Sequence, residues 1–356
     1  MTDRPRYLFV PVSGPGGAGE LMRCLIIARG LRCVQPQADI HFIVSRTAVF
    51  REAVEFPIHD SDASPTLSTP QVLMALEQFA PNVVVFDNSG RTSQLRAARR
   101  GGARVVFSSR TPHLRRKAFR LKWMRLLDEH WMVFPRFITG ELGWSEKLKQ
   151  RLFPHYRSRH LDTLFPPSEP GARSAWLASR GLTEGQYVAF VPGGRGESSR
   201  VAQPTELFVA AARDYVSRTG GPAVVLTGRT QGPDGGDTAG LTLLPRISPE
   251  EVQHALAGAD FVVSNGGTTM IHALAHGRPL VAVPLAADQG RRIRRAVKLE
   301  AVATAPSTPE GIAVAASSLH EDAARRSAMA RRIGELGISN GLAEAVAALV
   351  SLAARR

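Results

Sequence analysis

The sequence predicts an α/β protein made of two doubly wound parallel sheets facing across a cleft, and three observations carry that expectation. A strand, a glycine-rich turn and a helix follow one another near the start of each half, from Tyr7 and again from Tyr187. Short apolar runs then alternate with stretches of helical spacing, the order that parallel strands joined by helical crossovers require. Between the halves, Leu164 to Ser174 (LFPPSEPGARS) has the proline and serine content of a linker. The expected domains are therefore 1–165 and 176–338.

Composition sets the outer limits. A chain of 356 residues with 44% hydrophobic content is long enough for two ordinary cores. No apolar run reaches the roughly 20 residues of a membrane span, and MTDRPRYLFVPV has no signal-peptide layout, so a cytoplasmic location is expected. Cys24 and Cys33 alone make neither a disulfide framework nor a zinc-ligand spacing. The net charge of +14 attracts phosphates, nucleic acid and anionic lipid alike. No helix-turn-helix, zinc-finger or aromatic-glycine RNA motif accompanies it, so nucleic acid is not an expected partner.

In the first half, strand Tyr7 to Val12 leads into SGPGGAGE, which opens a helix running to about Leu31. Ser13, Gly16, Gly17 and Gly19 are candidates for a phosphate or acceptor loop. Gly14, Gly16 and Gly19 also fit the dinucleotide spacing G-x-G-x-x-G. That motif wants an acid at the end of the second strand, whereas Ile40 to Val44 ends in Ser45 and Arg46. Arginine there suits a phosphorylated ribose, so an NADP-dependent oxidoreductase remains a rival. Glu20 stands at the helix amino terminus, where the dipole favours a carboxylate; it reads as a general base or as a cap.

A helix from Gln71 to Phe79 precedes strand Asn82 to Phe86, which ends at Asp87. Asp87 either orients a base, contacts an acceptor or caps a turn. After helix Thr92 to Arg100, strand Arg104 to Phe107 brings Ser108, Ser109, Arg110 and His113 to the same edge, and His113 is a second candidate base. Residues 114–131 then show apolar positions at helical spacing amid six basic residues. This predicts a basic amphipathic helix, either docked on an anionic membrane or packed with its charges solvated. Trp131 to Phe137 is expected to be the last strand of this half.

In the second half, strand Tyr187 to Val191 is followed by PGGRGESSR, where Gly194 lets the backbone approach and Arg195 is typed to neutralise a phosphate or to form a surface pair. A helix from Thr205 to Arg218 and strands Ala223 to Thr227 and Leu241 to Leu244 come next. Ser248, a proline after it and Glu251 mark a capped helix start. The most informative stretch is Asp260 to Gln289. It reads strand, Asn265-Gly266-Gly267 turn, helix from Thr268 or Thr269, strand Leu280 to Pro284, then Asp288 and Gln289. Bare backbone at a helix amino terminus is a site for an anion such as a diphosphate.

Gly266 to Gln289 resembles the donor signature of GT-B glycosyltransferases, a GG-x-x-x-x-E-A-L-x-x-G-x-P run followed by P-x-x-x-D-Q. The resemblance implies a nucleotide-sugar donor. Its diphosphate would lie on Gly266, Gly267, Thr268, Thr269 and Arg195, its sugar at Asp288 and Gln289, and its base near Ile247. His272 falls where the family has the glutamate that holds the ribose. Gly17 to Leu31 resembles the first loop and helix of the lipid-linked N-acetylglucosaminyltransferase of peptidoglycan synthesis. It also resembles the sugar-nucleotide enzymes of the pseudaminic-acid and spore-coat type, with Glu20 at their histidine position. These likenesses imply an acceptor domain first, a donor domain second and a terminal helix, 339–356, crossing back to the first. They imply transfer to a hydroxyl acceptor, lipid-linked in one version, with no cofactor. Direct displacement by that hydroxyl would invert the anomeric centre, and because no acidic pair of the D-x-D kind is expected in the chain, the transfer is expected to need no metal. Sugar-nucleotide hydrolase or 2-epimerase, and a non-catalytic sugar-nucleotide-binding subunit, are the alternatives on the same fold.

Overall fold

The computed structural model describes residues 4–15, 19–193, 203–228 and 239–355. Two compact units are present: Met1–Leu164 together with Asn340–Arg356, and Phe165–Ser339.

The first unit runs β1 (Arg6–Pro11), α1 (Gly19–Val34), β2 (Asp39–Ser45), β3 (Ile58–Ser61), α2 (Thr69–Phe79), β4 (Val83–Asp87), α3 (Thr92–Arg100), β5 (Arg104–Ser109), α4 (Pro112–Ala118), α5 (Leu121–Met124), β6 (Glu129–Met132), α6 (Arg136–Thr139), α7 (Trp144–Leu152) and β7 (Arg157–His160). Its described strands form one parallel sheet in the order β3-β2-β1-β4-β5-β6-β7. Tyr7 and Phe9 enter one apolar cluster while Leu8 and Val10 enter another. Alternate residues of one strand thus feed two cores, which is why these strands read as unbroken apolar runs.

The second unit runs α8 (Pro170–Ala178), β8 (Val188–Val191), α9 (Pro204–Thr219), β9 (Ala223–Leu226), β10 (Leu241–Leu244), α10 (Pro249–Gly258), β11 (Phe261–Asn265), α11 (Thr268–Ala275), β12 (Leu280–Val283), α12 (Gln289–Lys298), β13 (Ala303–Thr304), α13 (Pro309–Glu321) and α14 (Ala323–Leu336). Its sheet is also parallel, in the order β10-β9-β8-β11-β12-β13. The Ser248 cap forms as its spelling indicates: the Glu251 amide donates to Ser248 Oγ at 3.2 Å, and the Ser248 amide to Glu251 Oε2 at 2.8 Å. The last helix, α15 (Leu342–Ala354), packs in the first unit, where Ala345, Val346, Leu349 and Leu352 join the core with α1.

Three sequence expectations are corrected. Residues 114–131 are not one amphipathic helix: α4 and α5 are short, and Trp131 lies in β6, fully buried. Arg115, expected to be solvated, is buried and donates to Glu146 and to the carbonyls of Thr139, Gly140 and Glu141. The last strand of the unit is β7 and not Trp131 to Phe137, in which residues 136–139 form α6. The stretch expected as linker becomes helical at Pro170, where α8 begins.

Candidate functional site

Each sheet has a topological switch, where successive connections leave in opposite directions and open parallel sheets bind ligands beyond the strand ends. In the first unit it lies between β1 and β4. Beyond β1 the described chain includes Ser13, whose buried Oγ accepts from the Ser45 amide at 3.0 Å and fastens the loop to β2. Gly16 and Gly17 lie outside the described residues. Gly19 opens α1, and Glu20 sits in its first turn.

Glu20 meets two groups from the neighbouring strand ends. Its Oε1 accepts from Asn88 Nδ2 at 2.7 Å and lies 3.9 Å from Arg110 Nε. Asn88, with a left-handed φ of 54°, uses its own Oδ1 to accept from the Arg110 amide at 2.9 Å. One asparagine therefore ties the first turn of α1 to the ends of β4 and β5. Burial pushes the Glu20 carboxyl up, but Arg23, Arg110 and the Asn88 hydrogen bond together outweigh burial, and the net shift is downward. The carboxylate is ionised at neutral pH.

Asp87 does something different from what its place at the strand end suggests. It is 1% exposed, and both carboxylate oxygens accept from Arg23, Nε to Oδ2 and Nη2 to Oδ1, each at 2.8 Å. Cys24 Sγ stands 3.7 Å from Oδ2. Burial raises the Asp87 carboxyl while the Arg23 guanidinium opposes that rise. With its oxygens committed below the surface, Asp87 holds Arg23 near Glu20 and is not placed to touch an acceptor. His113 is exposed on α4 and has no hydrogen bond among the described residues. Arg23 was missed in the sequence; it stands one turn after Glu20 on the same helix face, which is the signal that marks it.

The second unit repeats this arrangement between β8 and β11. Asn265 ends β11 and is buried, its Nδ2 donating to the Pro192 carbonyl at 2.9 Å while its Oδ1 accepts from the Gly267 amide at 2.9 Å. It clamps the ends of both strands. Gly193, at a φ of 78°, leaves the room the Asn265 side chain occupies. A Cβ on Gly266 would lie 2.7 Å from Ile293 Cδ1, and one on Gly267 would lie 2.7 Å from Asn265 Oδ1. A side chain at either position would force Ile293 or Asn265 to shift. Thr268 is exposed at the start of α11 and Thr269 is half-buried. The first-turn N–H groups there have no intrahelical partner.

Asp288 and Gln289 divide their work. Asp288 is 60% exposed and pairs with Arg292 at 3.2 Å, while Arg292 also donates to the Gly266 carbonyl. Gln289 is buried, and its Oε1 accepts from the Leu285 and Ala286 amides at 3.0 and 3.3 Å, closing the turn after β12. Arg292 was also missed; its spacing four residues after Asp288 is the available clue. Ile247 is half-buried in the turn between β10 and α10. Gly194 and Arg195 lie outside the described residues.

His272 is turned into the unit. Its Nδ1 lies 3.3 Å from Gln253 Nε2, its ring centroid lies 4.8 Å from that of Phe165 in a tilted contact, and its Nε2 is buried with no hydrogen-bond partner among the described residues. Burial, reinforced by His276, drives its pKa down to about 3 from an ordinary 6.5. Below 6.5 the unfolded chain takes up this proton and the folded chain does not. His272's contribution is therefore complete above pH 6.5 and is lost as pH falls toward 3, about 2 kcal/mol of it by pH 5. Urea unfolding at pH 7 and pH 5 checks this, and His272→Phe is expected to flatten the difference by about that amount.

The expectation that the chain has no D-x-D pair is corrected, because Asp60-Ser61-Asp62 is one. Asp60 pairs with Arg51 at 2.5 Å, Asp62 lies 3.6 Å from Arg46, and both belong to the β3 end of the first unit.

Comparison with known proteins bears on the fold. No protein-family model and no curated protein sequence matches the chain. Solved structures resemble it along its whole length. The glycotransferase of kitacinnamycin is 18% identical with a TM-score of 0.62, covering 99% of this chain and 100% of that one. Spinosyn forosaminyltransferase is 18% identical with a TM-score of 0.67, at 99% and 100% coverage. UDP-glucose:anthocyanidin 3-O-glucosyltransferase, solved in complex with UDP, is 12% identical with a TM-score of 0.61, at 100% of both chains. At such identities the likeness is one of architecture: two Rossmann-like parallel-sheet units with the GT-B fold.

Proposed function

We propose that the protein is a glycosyltransferase that moves a hexosyl group from a nucleotide-diphosphate sugar, a UDP-sugar in the first instance, to a hydroxyl acceptor. The observation that carries this reading is the Gly266-Gly267 turn, kept bare by Ile293 and Asn265 and opening onto the amino terminus of α11. The N–H groups of the first turn of α11 suit a diphosphate, and Thr268 and Thr269 belong to that turn. Asp288, exposed beside Arg292, is the residue to hold the donor sugar, and the Ile247 turn is the place for the base. In the first unit, ionised Glu20 is the candidate base. It would take the proton of the acceptor hydroxyl as that oxygen forms a bond to the anomeric carbon. The bond from that carbon to the diphosphate breaks on the opposite face, so configuration inverts and no metal is required in this scheme. The likeness of Gly17 to Leu31 to a lipid-linked transferase supports a cell-envelope glycan precursor as the acceptor.

Thermal-shift and calorimetric titration with UDP-, dTDP- and GDP-sugars test the donor half. A ligand at 100 times its dissociation constant adds about 2.7 kcal/mol, and no stabilisation by any nucleoside diphosphate sinks the reading. Incubation with a UDP-sugar and no acceptor separates transfer from hydrolysis or 2-epimerisation, which would consume or isomerise the donor.

Glu20→Gln is expected to lower kcat by about 10²- to 10⁴-fold, the usual share of a general base. Because the Glu20 carboxyl is held down, the acid limb of the wild-type rate profile should lie below the ordinary value of 4.5. One observation favours a second reading: a carboxylate so stabilised is a weak base, as a non-catalytic sugar-nucleotide-binding subunit would tolerate. Unchanged turnover in Glu20→Gln removes Glu20 as the base, and a total absence of turnover with bound donor supports the subunit.

A further inference from the structure

Helix α7 is built inside out. Its polar face points at the unit: Glu146 accepts from Arg115 Nε at 3.1 Å, and Gln150 Oε1 accepts from Ser158 Oγ at 3.2 Å. The opposite face carries Trp144, Leu148 and Leu152, four residues apart and so in one stripe, at 80%, 50% and 66% exposure. Lys147 and Arg151 flank that stripe on the exposed side. Neither has an ion-pair partner among the described residues. No residue of α7 is buried, so the stripe has no part in a core.

We infer that α7 docks the first unit on an anionic lipid surface. An indole and two leucines in a line, edged by unpaired cations, match the interfacial layer of such a membrane on both counts. The apolar groups enter at the headgroup boundary, where Trp is favoured, and the cations meet lipid phosphates. With free cations along its edge, the stripe is matched by an anionic surface and opposed by a second copy of itself, which would bring like charges together. The inference uses none of residues 114–131 and stands apart from the sugar-transfer reading, since docking is measured without turnover.

The sequence supplies its own probe. Of four tryptophans, Trp123, Trp131 and Trp176 are buried, so a fluorescence change on lipid binding reports Trp144. The full chain is mixed with vesicles of phosphatidylcholine plus phosphatidylglycerol, and with phosphatidylcholine alone. The expected result is a blue shift and co-sedimentation with the anionic vesicles that weaken as salt rises. Lys147→Glu with Arg151→Glu should weaken binding by about tenfold or more, since both cations that would meet lipid phosphate are replaced by anions that it repels. Trp144→Ser, Leu148→Ser and Leu152→Ser together should abolish sedimentation while leaving thermal unfolding unchanged, because no α7 side chain is in a core. Absence of binding, equal binding to neutral vesicles, or binding retained by the triple variant each overturns the inference. So does a wild-type dimer in sedimentation equilibrium that the triple variant dissolves, which would assign the stripe to a second copy.

Discussion

Arg23→Met is expected to cost the first unit about 3–5 kcal/mol, the usual penalty for leaving one partner of a buried ion pair alone. Asp87 is 1% exposed and its two oxygens have Arg23 as their bidentate donor. With the guanidinium gone, Asp87 must either stay charged in a buried site beside Glu20 or take up a proton. The double replacement Arg23→Met with Asp87→Leu removes both charges and should recover most of the loss. Urea unfolding of the two single variants and the double variant closes a cycle whose coupling energy is the quantity of interest. A loss below about 1 kcal/mol in Arg23→Met would mean that the pair is far better solvated than its burial indicates. The same variant reports on Glu20. Arg23 is the foremost of the groups that hold the Glu20 carboxyl down, so its removal should move the acid limb of the rate profile upward. Stability and pH dependence thus change together through one guanidinium.

What could be read from the sequence were the features that short stretches specify by themselves. Leu241–Leu244 and Thr92–Arg100 form as their spacing indicates, and the Ser248 and Glu251 pair caps its helix because a capping box needs only four residues. The Gly266-Gly267 turn was legible for the same reason, since glycine advertises bare backbone wherever it occurs. Residues 114–131 failed because their basic periodicity is satisfied elsewhere. Asp128 and Glu129, which look like a polar end to a helix, are buried where β6 begins and pair with Arg99 and Arg159 from distant elements at 2.7 Å. Those ion pairs permit a strand that local spacing argues against. β3 and β7 were missed because they are sheet-edge strands, spelled IHDS and RSRH, without the apolar run that marks an inner strand. The same limit applies at the sites. Glu20 and Asn88 are 68 positions apart, Arg23 and Asp87 64, and Asn265 and Pro192 73. Residue type flagged one member of each pair, but only the folded sheet shows the partner.

Gly266→Val should weaken the proposed nucleotide-diphosphate binding by about 100-fold or more, and its effect can be separated from simple unfolding. A Cβ there would stand 2.7 Å from Ile293 Cδ1 and 3.0 Å from Gln289 Cβ, both on α12, and valine adds two further methyls. Either α12 moves off the turn or the turn moves off the helix. Overpacking of this kind costs about 1–3 kcal/mol, which a unit of ordinary stability survives. The peptide groups that would face the diphosphate are displaced in either case, and they act only if aligned. A Kd weakened by about 100-fold or more is therefore expected at a temperature where circular dichroism shows the variant folded, about 2.7 kcal/mol in binding. Asn265→Ala reaches the same turn from the other side. It unfastens the half-buried Gly267 amide and the buried Pro192 carbonyl, with about 1–3 kcal/mol expected for the buried carbonyl left unpaired. Gly171→Ala, in the same unit with nothing near its Cβ, should leave both stability and binding unchanged. If Gly266→Val binds UDP-sugars as the wild type does while folded, the diphosphate lies elsewhere. The bare turn is then only a tight packing contact between α12 and β11.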